Sequence, residues 1–336
     1  MSNATIKDVA KLTGVSVATV SRVLHNLTGY SAETRSKVLQ AIEELGYRPN
    51  AIARGLINKR TQTIGVLFPD VSSSFSSDIL NGIEETSHEH GFSVIVCNTA
   101  RNGERTLKYL QVLQEKQVDG VIVASQSINQ AYEAELMSMN VPVVLINTLA
   151  HHNQIVTVKV DDRQAAYDAT AYLISNGHRE IAMISGNRDD LLAGSTRLSG
   201  YRQALEDQGL TYVEDRIAYG DFRYESGRSA MKQLLDTNLP FTALFVASDE
   251  MAIGAMGVAH EAGIRIPEDI SIIGFDDLLI SRMSIPPLTT IHQPLQQMGR
   301  SASEMLIRMM DTSGEVHPII AEHSIVERAT VRRLAK

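Results

Sequence analysis

Cysteine is almost missing from this sequence of 336 residues, and the single Cys97 cannot close a disulfide within the chain. Nothing here asks for an oxidising compartment. Long hydrophobic runs are missing too: apolar runs such as Ile64 to Phe68 and Ser93 to Cys97 are strand-sized and far short of a membrane span. No apolar signal-peptide segment precedes the polar stretch that holds Thr5, Lys7 and Asp8, so export is not expected and a reducing cytoplasm is. Met1 to Ala4 carry no role in this reading. The ten histidines never take the spacing of a metal site, and the adjacent His151 and His152 would point apart on a strand or loop. Gly254 to Gly257 lacks the spacing of a phosphate loop, and Asp276-Asp277 has neither a nucleophile nor an acid-base partner nearby. Without a catalytic constellation, neither an enzyme nor a cofactor or metal is expected.

What is present is a normal supply of core, 43% hydrophobic, enough for about two domains and too much for a disordered or collagen-like chain. The net charge of −8 taken alone argues against nucleic acid, yet it is unevenly spread. Residues 1 to 60 carry nine Lys or Arg (Lys7, Lys11, Arg22, Arg35, Lys37, Arg48, Arg54, Lys59, Arg60) against Asp8, Glu33, Glu43 and Glu44, a net of +5 that leaves −13 for the rest. A basic head on an acidic body is what a phosphate-binding module joined to a module that stays off phosphates would show.

From Thr5 to Asn26 the chain reads as two short helices around Gly14. Ile6, Val9, Ala10 and Leu12 have helical spacing, Thr5 can cap the first amides with Asp8 completing a box, and Gly14 permits a tight turn. Ser16 then caps a second helix in which Val20, Val23 and Leu24 face inward while Val17, Ala18, Thr19, Ser21 and Arg22 stay accessible. Glu33 to Leu45, with Val38, Leu39, Ile42 and Leu45 at helical spacing, closes a small core. This order of cap, glycine turn and short polar-faced helix follows the helix-turn-helix docking motif, although a plain three-helix surface domain would share the helices. Pro49 and Asn50 signal a further short helix, Ala51 to Asn58, with Arg54 and Leu56 outward.

The runs Thr5-Ile-Lys-Asp-Val-Ala, Gly14-Val-Ser-Val-Ala-Thr-Val-Ser-Arg-Val and Gly46-Tyr-Arg-Pro-Asn-Ala-Ile-Ala-Arg-Gly-Leu56 resemble the head of the lac and gal repressor family, near its catabolite-control and ribose-repressor branch. The resemblance implies that Val17, Ala18 and Arg22 face base edges in the major groove, that Ser16, Thr19, Ser21 and Asn26 hold backbone phosphates, and that Thr5, Asn50 and Arg54 complete the DNA-contacting set. Arg22 suits a bidentate guanine contact, and Val17 and Ala18 suit thymine methyls. It further implies a hinge helix that folds only on operator DNA and wedges Leu56 into a central minor-groove step; a plain linker helix, with Leu56 packed on a partner chain, is the alternative. A homodimer is expected, because one head covers half of a two-fold palindromic operator. The chain reaches Lys336 without a leucine heptad tail, so a lac-type tetramer is not expected.

From Ile64 onward, short apolar strands alternate with amphipathic helices in two consecutive blocks that restart after Asp161, which predicts an α/β body of two similar lobes with parallel sheets. The expected domains are a helix-turn-helix over 1–48, hinge and linker over 49–60, and an effector-binding and dimerisation body over 61–336. The resemblance, to a periplasmic-binding-protein-like body, places lobe 1 at about 61–161 and 293–321 and lobe 2 at about 162–292 and 322–336, with crossings near Asp161, Gln293 and Glu322. Ligands in such a body bind at strand carboxyl ends, in the cleft between lobes. Phe75 is placed in the loop after the first strand, Asn147 at the end of the fourth, Arg197 before the helix containing Gly200-Tyr201, and Phe222, Ser248 and Asp276 after later strands. An aspartate and an arginine can hold adjacent hydroxyls while Phe222 covers the apolar face of a sugar ring. By resemblance Arg197 and Asp276 are the main polar contacts of a sugar-like effector, with Phe75, Asn147, Phe222 and Ser248 shaping selectivity; a structural Arg197–Asp276 ion pair is the alternative.

An extracytoplasmic sugar-binding protein would need a signal peptide in place of residues 1 to 60, and a sugar-processing enzyme would need a catalytic group. Within the regulator class the runner-up is a global catabolite regulator whose corepressor is a phosphorylated carrier protein, a reading kept alive by Gly46-Tyr-Arg-Pro-Asn-Ala and Lys116-Gln-Val-Asp-Gly-Val. On the helix after Gly299, where the resemblance puts an arginine that grips phosphoserine, this chain has Glu304, whose carboxylate would repel the phosphate. A regulator of carbohydrate-utilisation genes with a small effector is therefore the main reading.

Overall fold

The computed structural model describes residues 4–24, 27–47, 60–125, 127–148, 155–311 and 316–334. They fall into two units, Met1–Gln62 and Thr63–Lys336. The first contains α1 (Ile6–Thr13), α2 (Val17–Leu24) and α3 (Ala32–Leu45). The Asp8 carboxylate accepts from the Thr5 backbone N–H at 2.8 Å and from its hydroxyl at 2.7 Å. Gly14, at φ 71°, ends α1, and the Ser16 and Ser31 hydroxyls accept from Thr19 and Thr34 amides at 3.1 Å to start α2 and α3. Val9, Val20, Val23, Val38 and Ala41 form the buried centre. Two expectations fail here: Leu12 is 49% and Leu39 41% exposed. The interior stripe of α1 runs Ile6, Val9, Ala10, Thr13 and that of α3 runs Val38, Ala41, Ile42, Leu45, each at i, i+3, i+4, i+7, and a three-helix core has no room for a wider face. Asn26, Asn50, Arg54, Leu56, the expected hinge helix Ala51 to Asn58 and the pair His151-His152 lie outside the described residues.

The second unit begins with β1 (Thr63–Phe68), α4 (Ser74–Glu89), β2 (Ser93–Asn98), α5 (Thr106–Glu115), β3 (Gly120–Ala124), α6 (Gln130–Ser138), β4 (Val143–Ile146) and β5 (Val156–Val160). It continues with α7 (Asp162–Ser175), β6 (Ile181–Ser185), α8 (Gly194–Asp207), β7 (Ile217–Tyr219), α9 (Tyr224–Asp236), β8 (Ala243–Val246), α10 (Asp249–Glu261), β9 (Ser271–Asp276), α11 (Leu279–Met283) and β10 (Thr289–His292). Last come α12 (Leu295–Asp311), β11 (Ile319–Ala321) and β12 (Ser324–Val326). One six-stranded sheet has the order β11-β5-β4-β3-β1-β2 and the other β12-β10-β9-β8-β6-β7. Substituting each strand by its counterpart turns one order into the other, so the lobes repeat a topology. Only the last strand differs: β11 runs parallel to β5, β12 antiparallel to β10. The chain passes between sheets at Asp161, at Gln293-Pro294 and at Glu322-His323.

Strands such as β3, β4, β6, β8 and β9 are buried along their whole length, as parallel strands covered on both faces must be. In lobe 1, Ile64, Val66 and Phe68 pack with Ile79, Ile83, Met298 and Leu306, while Leu67, Val121, Val123 and Leu145 pack with Leu110, Leu113 and Leu136 on the other face. Helices α4 and α12 meet at Gly82 and Gly299, where an added Cβ would lie 1.9 Å from the Gln296 carbonyl and 2.2 Å from the Ile79 carbonyl respectively. Lobe 2 has one continuous core around Met183, Phe245, Ile272 and Phe275.

Candidate functional site

On the head, α2 buries Val20 and Val23 and leaves Val17, Ala18 and Arg22 exposed, with Thr19 and Ser21 half-buried on its flanks. The Ser16 hydroxyl lies 2.9 Å from that of Thr19, so both are used in starting the helix. The Arg22 guanidinium lies beside Gly29, where an added Cβ would sit 3.3 Å from Nη1. One short helix therefore presents two small apolar side chains and a long cation together, a set suited to base edges rather than to a core.

In the body, positive φ outside glycine occurs after three helices, at Gln117, Asn140 and Asn238, but most of it collects at the strand carboxyl ends. Ala100 after β2, Ser125 after β3, Asn147 after β4, Phe222 after β7, Asp276 at the end of β9 and Asp277 beyond it all have positive φ, from 49° at Asn147 to 119° at Asp276. Each costs free energy that the surrounding fold must supply, and such positions gather where a site is being shaped.

Lobe 2 holds the charged half. Arg197 is 4% exposed and lies within α8, not before it as expected, because the helix starts at Gly194. Its Nε and Nη2 donate to one oxygen of Asp162 at 2.9 and 2.8 Å, and Nη1 donates to the Ala247 carbonyl at 2.6 Å. Its guanidinium carbon lies 3.6 Å over the centroid of the Phe275 ring and 5.9 Å from that of Phe222. Asp276, 5% exposed, stands 4.0 Å from Arg197 Nη1 and accepts from the Gln293 side-chain amide at 2.7 Å. Burial pushes the Asp276 carboxyl up to about 7 against the opposing pull of Arg197 and Gln293. Asp249, fully buried, accepts from Thr290 at 2.6 Å and from the Leu278 N–H at 2.8 Å; burial and then the charge of Asp276 hold it well above the usual carboxylate range. The closest ion pair of Arg197 is thus Asp162, a residue sequence reasoning did not single out although it stands beside the expected crossing at Asp161.

Among the described residues, lobe 1 buries no charged side chain at the corresponding strand ends. Among the same described residues, the Asn147 Oδ1 and Ser125 Oγ are buried without a hydrogen-bond partner, as is the Oε1 of Gln293 on the crossing from β10 to α12. Such atoms call for donors from outside the protein. Gln293, foreseen only as a crossing point, belongs to the site on this ground, as does Ser125; neither carries a sequence signal. Phe75 is placed on α4 rather than in a loop, because Ser73 caps that helix, and its ring packs against the lobe 1 core. Ser248 caps α10 through the Met251 amide at 3.3 Å and donates to the Phe222 carbonyl at 3.3 Å, so it positions Phe222. The Phe222 ring lies against Gly186, where an added Cβ would come within 2.2 Å of it. Among the described residues no His, Cys, Asp and Glu group could hold a metal ion, and no helix is long and apolar enough to cross a membrane.

Residues 5–50 match the family described as bacterial regulatory proteins, lacI family, and residues 61–327 match periplasmic binding proteins and sugar binding domain of LacI family. The chain is 40% identical to catabolite control protein A of Priestia megaterium over 92% of its own length and 93% of the relative. Among solved structures it resembles the complex of the transcriptional regulator CelR with cellobiose, at 33% identity and a TM-score of 0.75 over 97% of this chain and 99% of that one. It also resembles the lac repressor dimer bound to operator and the anti-inducer ONPF, at 29% identity and a TM-score of 0.90 over 98% and 100%.

Proposed function

We propose, for a chain that belongs to the lacI family of bacterial regulatory proteins, that a sugar or sugar derivative in the inter-lobe cleft sets how tightly a homodimer holds operator DNA. The protein is a sequence-specific DNA-binding regulator and not an enzyme. Its place of work is the cytoplasm, and its targets are genes of carbohydrate use.

At the DNA end, Arg22 reads a guanine, Val17 and Ala18 meet thymine methyls, and Thr5, Ser16, Thr19, Ser21 and Asn26 hold phosphates. Asn50 and Arg54 extend the backbone contacts, and Leu56 enters the central minor-groove step. At the ligand end, Arg197 and Asp276 meet hydroxyls, Phe222 covers the ring, Asn147 accepts from one further hydroxyl, and Ser248 and Phe75 hold the wall. The observation that carries this reading is the gathering of left-handed backbone at the strand ends of both lobes, beside unpartnered acceptors on one and a buried Arg–Asp cluster on the other. An uncharged polyol supplies the donors those acceptors lack, and its hydroxyls can also bridge Arg197 and Asp276.

The test is a thermal-shift series with cellobiose and a set of mono- and disaccharides, followed by operator titration with any sugar that stabilises the protein. A coupling of about 1 to 3 kcal/mol, a 5- to 150-fold change in operator affinity, is expected. Arg22→Ala is expected to cost about 1 to 3 kcal/mol on the operator and to relax preference at one guanine per half-site. Selected sites without a palindrome would end the DNA half of the reading. The 40% identity to catabolite control protein A favours the second reading, control by a phosphorylated carrier protein. Exposed Glu304 on α12 opposes it, since a carboxylate there repels phosphoserine. Operator affinity that responds to such a carrier and to no sugar would replace the first reading with the second.

A further inference from the structure

Five charged side chains meet between the two lobes, beyond the strand carboxyl ends. Asp70 follows β1 and Arg101 follows β2 in lobe 1; Asp221 and Arg223 follow β7 and Glu250 opens α10 in lobe 2. Arg101 Nη1 donates to Asp221 Oδ2 of the other lobe at 2.9 Å, and its Nε and Nη2 donate to Asp70 of its own lobe at 3.3 Å. Arg223 does the reverse: Nη2 donates to Asp70 of the other lobe and Nη1 to Glu250 of its own at 3.3 Å. Each arginine is thus shared between an acid of its own lobe and an acid of the opposite one. The acids are held in place from within: Asp70 accepts from the Ser72 N–H and hydroxyl at 2.9 and 2.6 Å, and Asp221 from the Arg223 N–H at 3.1 Å. Burial of Asp70 works upward, but the Ser72 hydrogen bonds and the charges of Arg223 and Arg101 outweigh it and hold the carboxyl at about 2, so it is ionised at any physiological pH.

The cluster contributes to neither lobe's core. Asp70, Arg223 and Glu250 are about one-fifth exposed, whereas Arg101 is 53% and Asp221 41% exposed, so salt reaches part of it. Phe222, the ring proposed to cover the ligand, stands between Asp221 and Arg223 in sequence, so the two lobe 2 anchors flank it. A second, apolar tie also joins the lobes: Leu278 and Ile280, beyond β9, pack against the lobe 1 core. Closure therefore has an ionic part that salt weakens and an apolar part that it does not.

We propose that Asp70, Arg101, Asp221, Arg223 and Glu250 form an ionic latch that holds the two lobes closed, so that ionic strength regulates access to the effector site between them. Opening exchanges two inter-lobe ion pairs for solvated charges and releases the segment that carries Phe222. The latch takes its regulatory meaning from the cleft being the effector site, but its operation needs neither ligand nor DNA, and it is tested without them.

The experiment measures the lobe-to-lobe distance in the full chain by pulsed electron spin resonance, with labels at Lys108→Cys on α5 and Lys232→Cys on α9, both exposed positions on opposite lobes. Labelled chains are diluted into unlabelled ones to isolate distances within one chain. Cys97 stays unlabelled, because it is buried and its thiol is pushed up to about 11 by that burial. Salt at 0.01 M, where charges act over about 30 Å, is compared with 1 M, where the range is about 3 Å. The wild-type chain is expected to gain a longer-distance population at high salt, with the open-to-closed ratio rising about 5- to 10-fold for two partly exposed pairs. Arg101→Gln with Arg223→Gln is expected to show that population at both salts, and Arg223→Lys to keep the salt response. Distances that change with neither salt nor the double substitution would overturn the latch and leave the operator and effector reading untouched; so would Arg223→Lys behaving as the double variant does, since charge would then not be the cause. The wild-type salt comparison stands even if a variant folds poorly, which circular dichroism would report.

Discussion

The two lobes share a strand order and share the habit of ending strands in left-handed backbone, yet they spend those ends on different chemistry. Lobe 2 brings four ionisable side chains, Asp162, Arg197, Asp249 and Asp276, into the interior, all 6% exposed or less. Lobe 1 offers Ser125 and Asn147, neutral and without partners. Topology fixes where a ligand can lie, because crossover helices leave the strand carboxyl ends open. Which chemistry each lobe places at those ends is decided by a few residues. A buried charge must also be satisfied within the protein, so under the proposed function the lobe 2 residues would carry structural and ligand roles together, whereas those of lobe 1 would serve the ligand alone.

The largest effect that would break this contrast is expected at Arg197. Arg197→Ala leaves the Asp162 carboxylate buried without its partner, and removing one member of a buried pair costs about 3 to 5 kcal/mol. Denaturant unfolding of the ligand-free protein measures this. A loss below about 1 kcal/mol, the worth of an exposed pair, would show that the cluster is not structural and that the lobes are alike after all.

Next in size is the titration of Asp276. Its carboxyl sits at about 7 in the folded body, against about 3.9 in an unfolded chain. The folded state holds the proton more tightly, so this group favours folding fully below about pH 4, and the benefit is lost as pH rises towards 7. Asp276→Asn removes that loss, and the variant should gain on the wild type between pH 5 and pH 8 by roughly 1 to 3 kcal/mol. Hydroxyls that donate to Asp276 favour its ionised form, so sugar affinity in the wild type should rise as pH passes through about 7 and stay flat in the variant. Equal pH profiles for the two proteins would mean that the acid is not buried as the closed cleft requires.

How much of this was legible depends on how local the cause is. The strand Val143–Ile146 stands in the sequence as an uninterrupted apolar run, and the Ser16 cap with Gly14 before it marks the turn of the head. Strand β5, Val-Thr-Val-Lys-Val, reads differently, since alternate residues are polar, and β11 and β12 are three residues each, too short for any pattern. Helices α9 and α10 keep glycines at 227 and 254, where an added Cβ would lie 2.2 Å from the carbonyls of Met251 and Tyr224, so their sequence reflects close packing more than helix propensity. Arg197 and Asp276 are named by the family resemblance, and only Asp276 stands at a strand end. That Arg197 binds Asp162, 35 residues away, and that Gln293 reaches back 17 residues to Asp276, follows only from how the strands are brought together.

The smallest expected effect is the sharpest test of the contrast, and it falls on Asn147. Its φ of 49° suits glycine better than any residue with a Cβ, and its Oδ1 has no partner to lose. Asn147→Gly relieves strain but loosens the unfolded chain, and these two changes oppose each other, so stability should move by no more than about 0.5 kcal/mol. Asn147→Ala keeps the strain, loses the tolerance asparagine has for this backbone, and should cost about 1 kcal/mol. Both variants delete the same acceptor, so both should weaken the sugar that stabilises the wild type by about 5- to 10-fold, one neutral hydrogen bond. Calorimetric titration beside denaturant unfolding separates the two quantities. If Asn147→Gly lost stability as Arg197→Ala does, lobe 1 would be bearing structural load at its strand ends; if it bound sugar as tightly as the wild type, the unpartnered acceptor would face something other than the ligand.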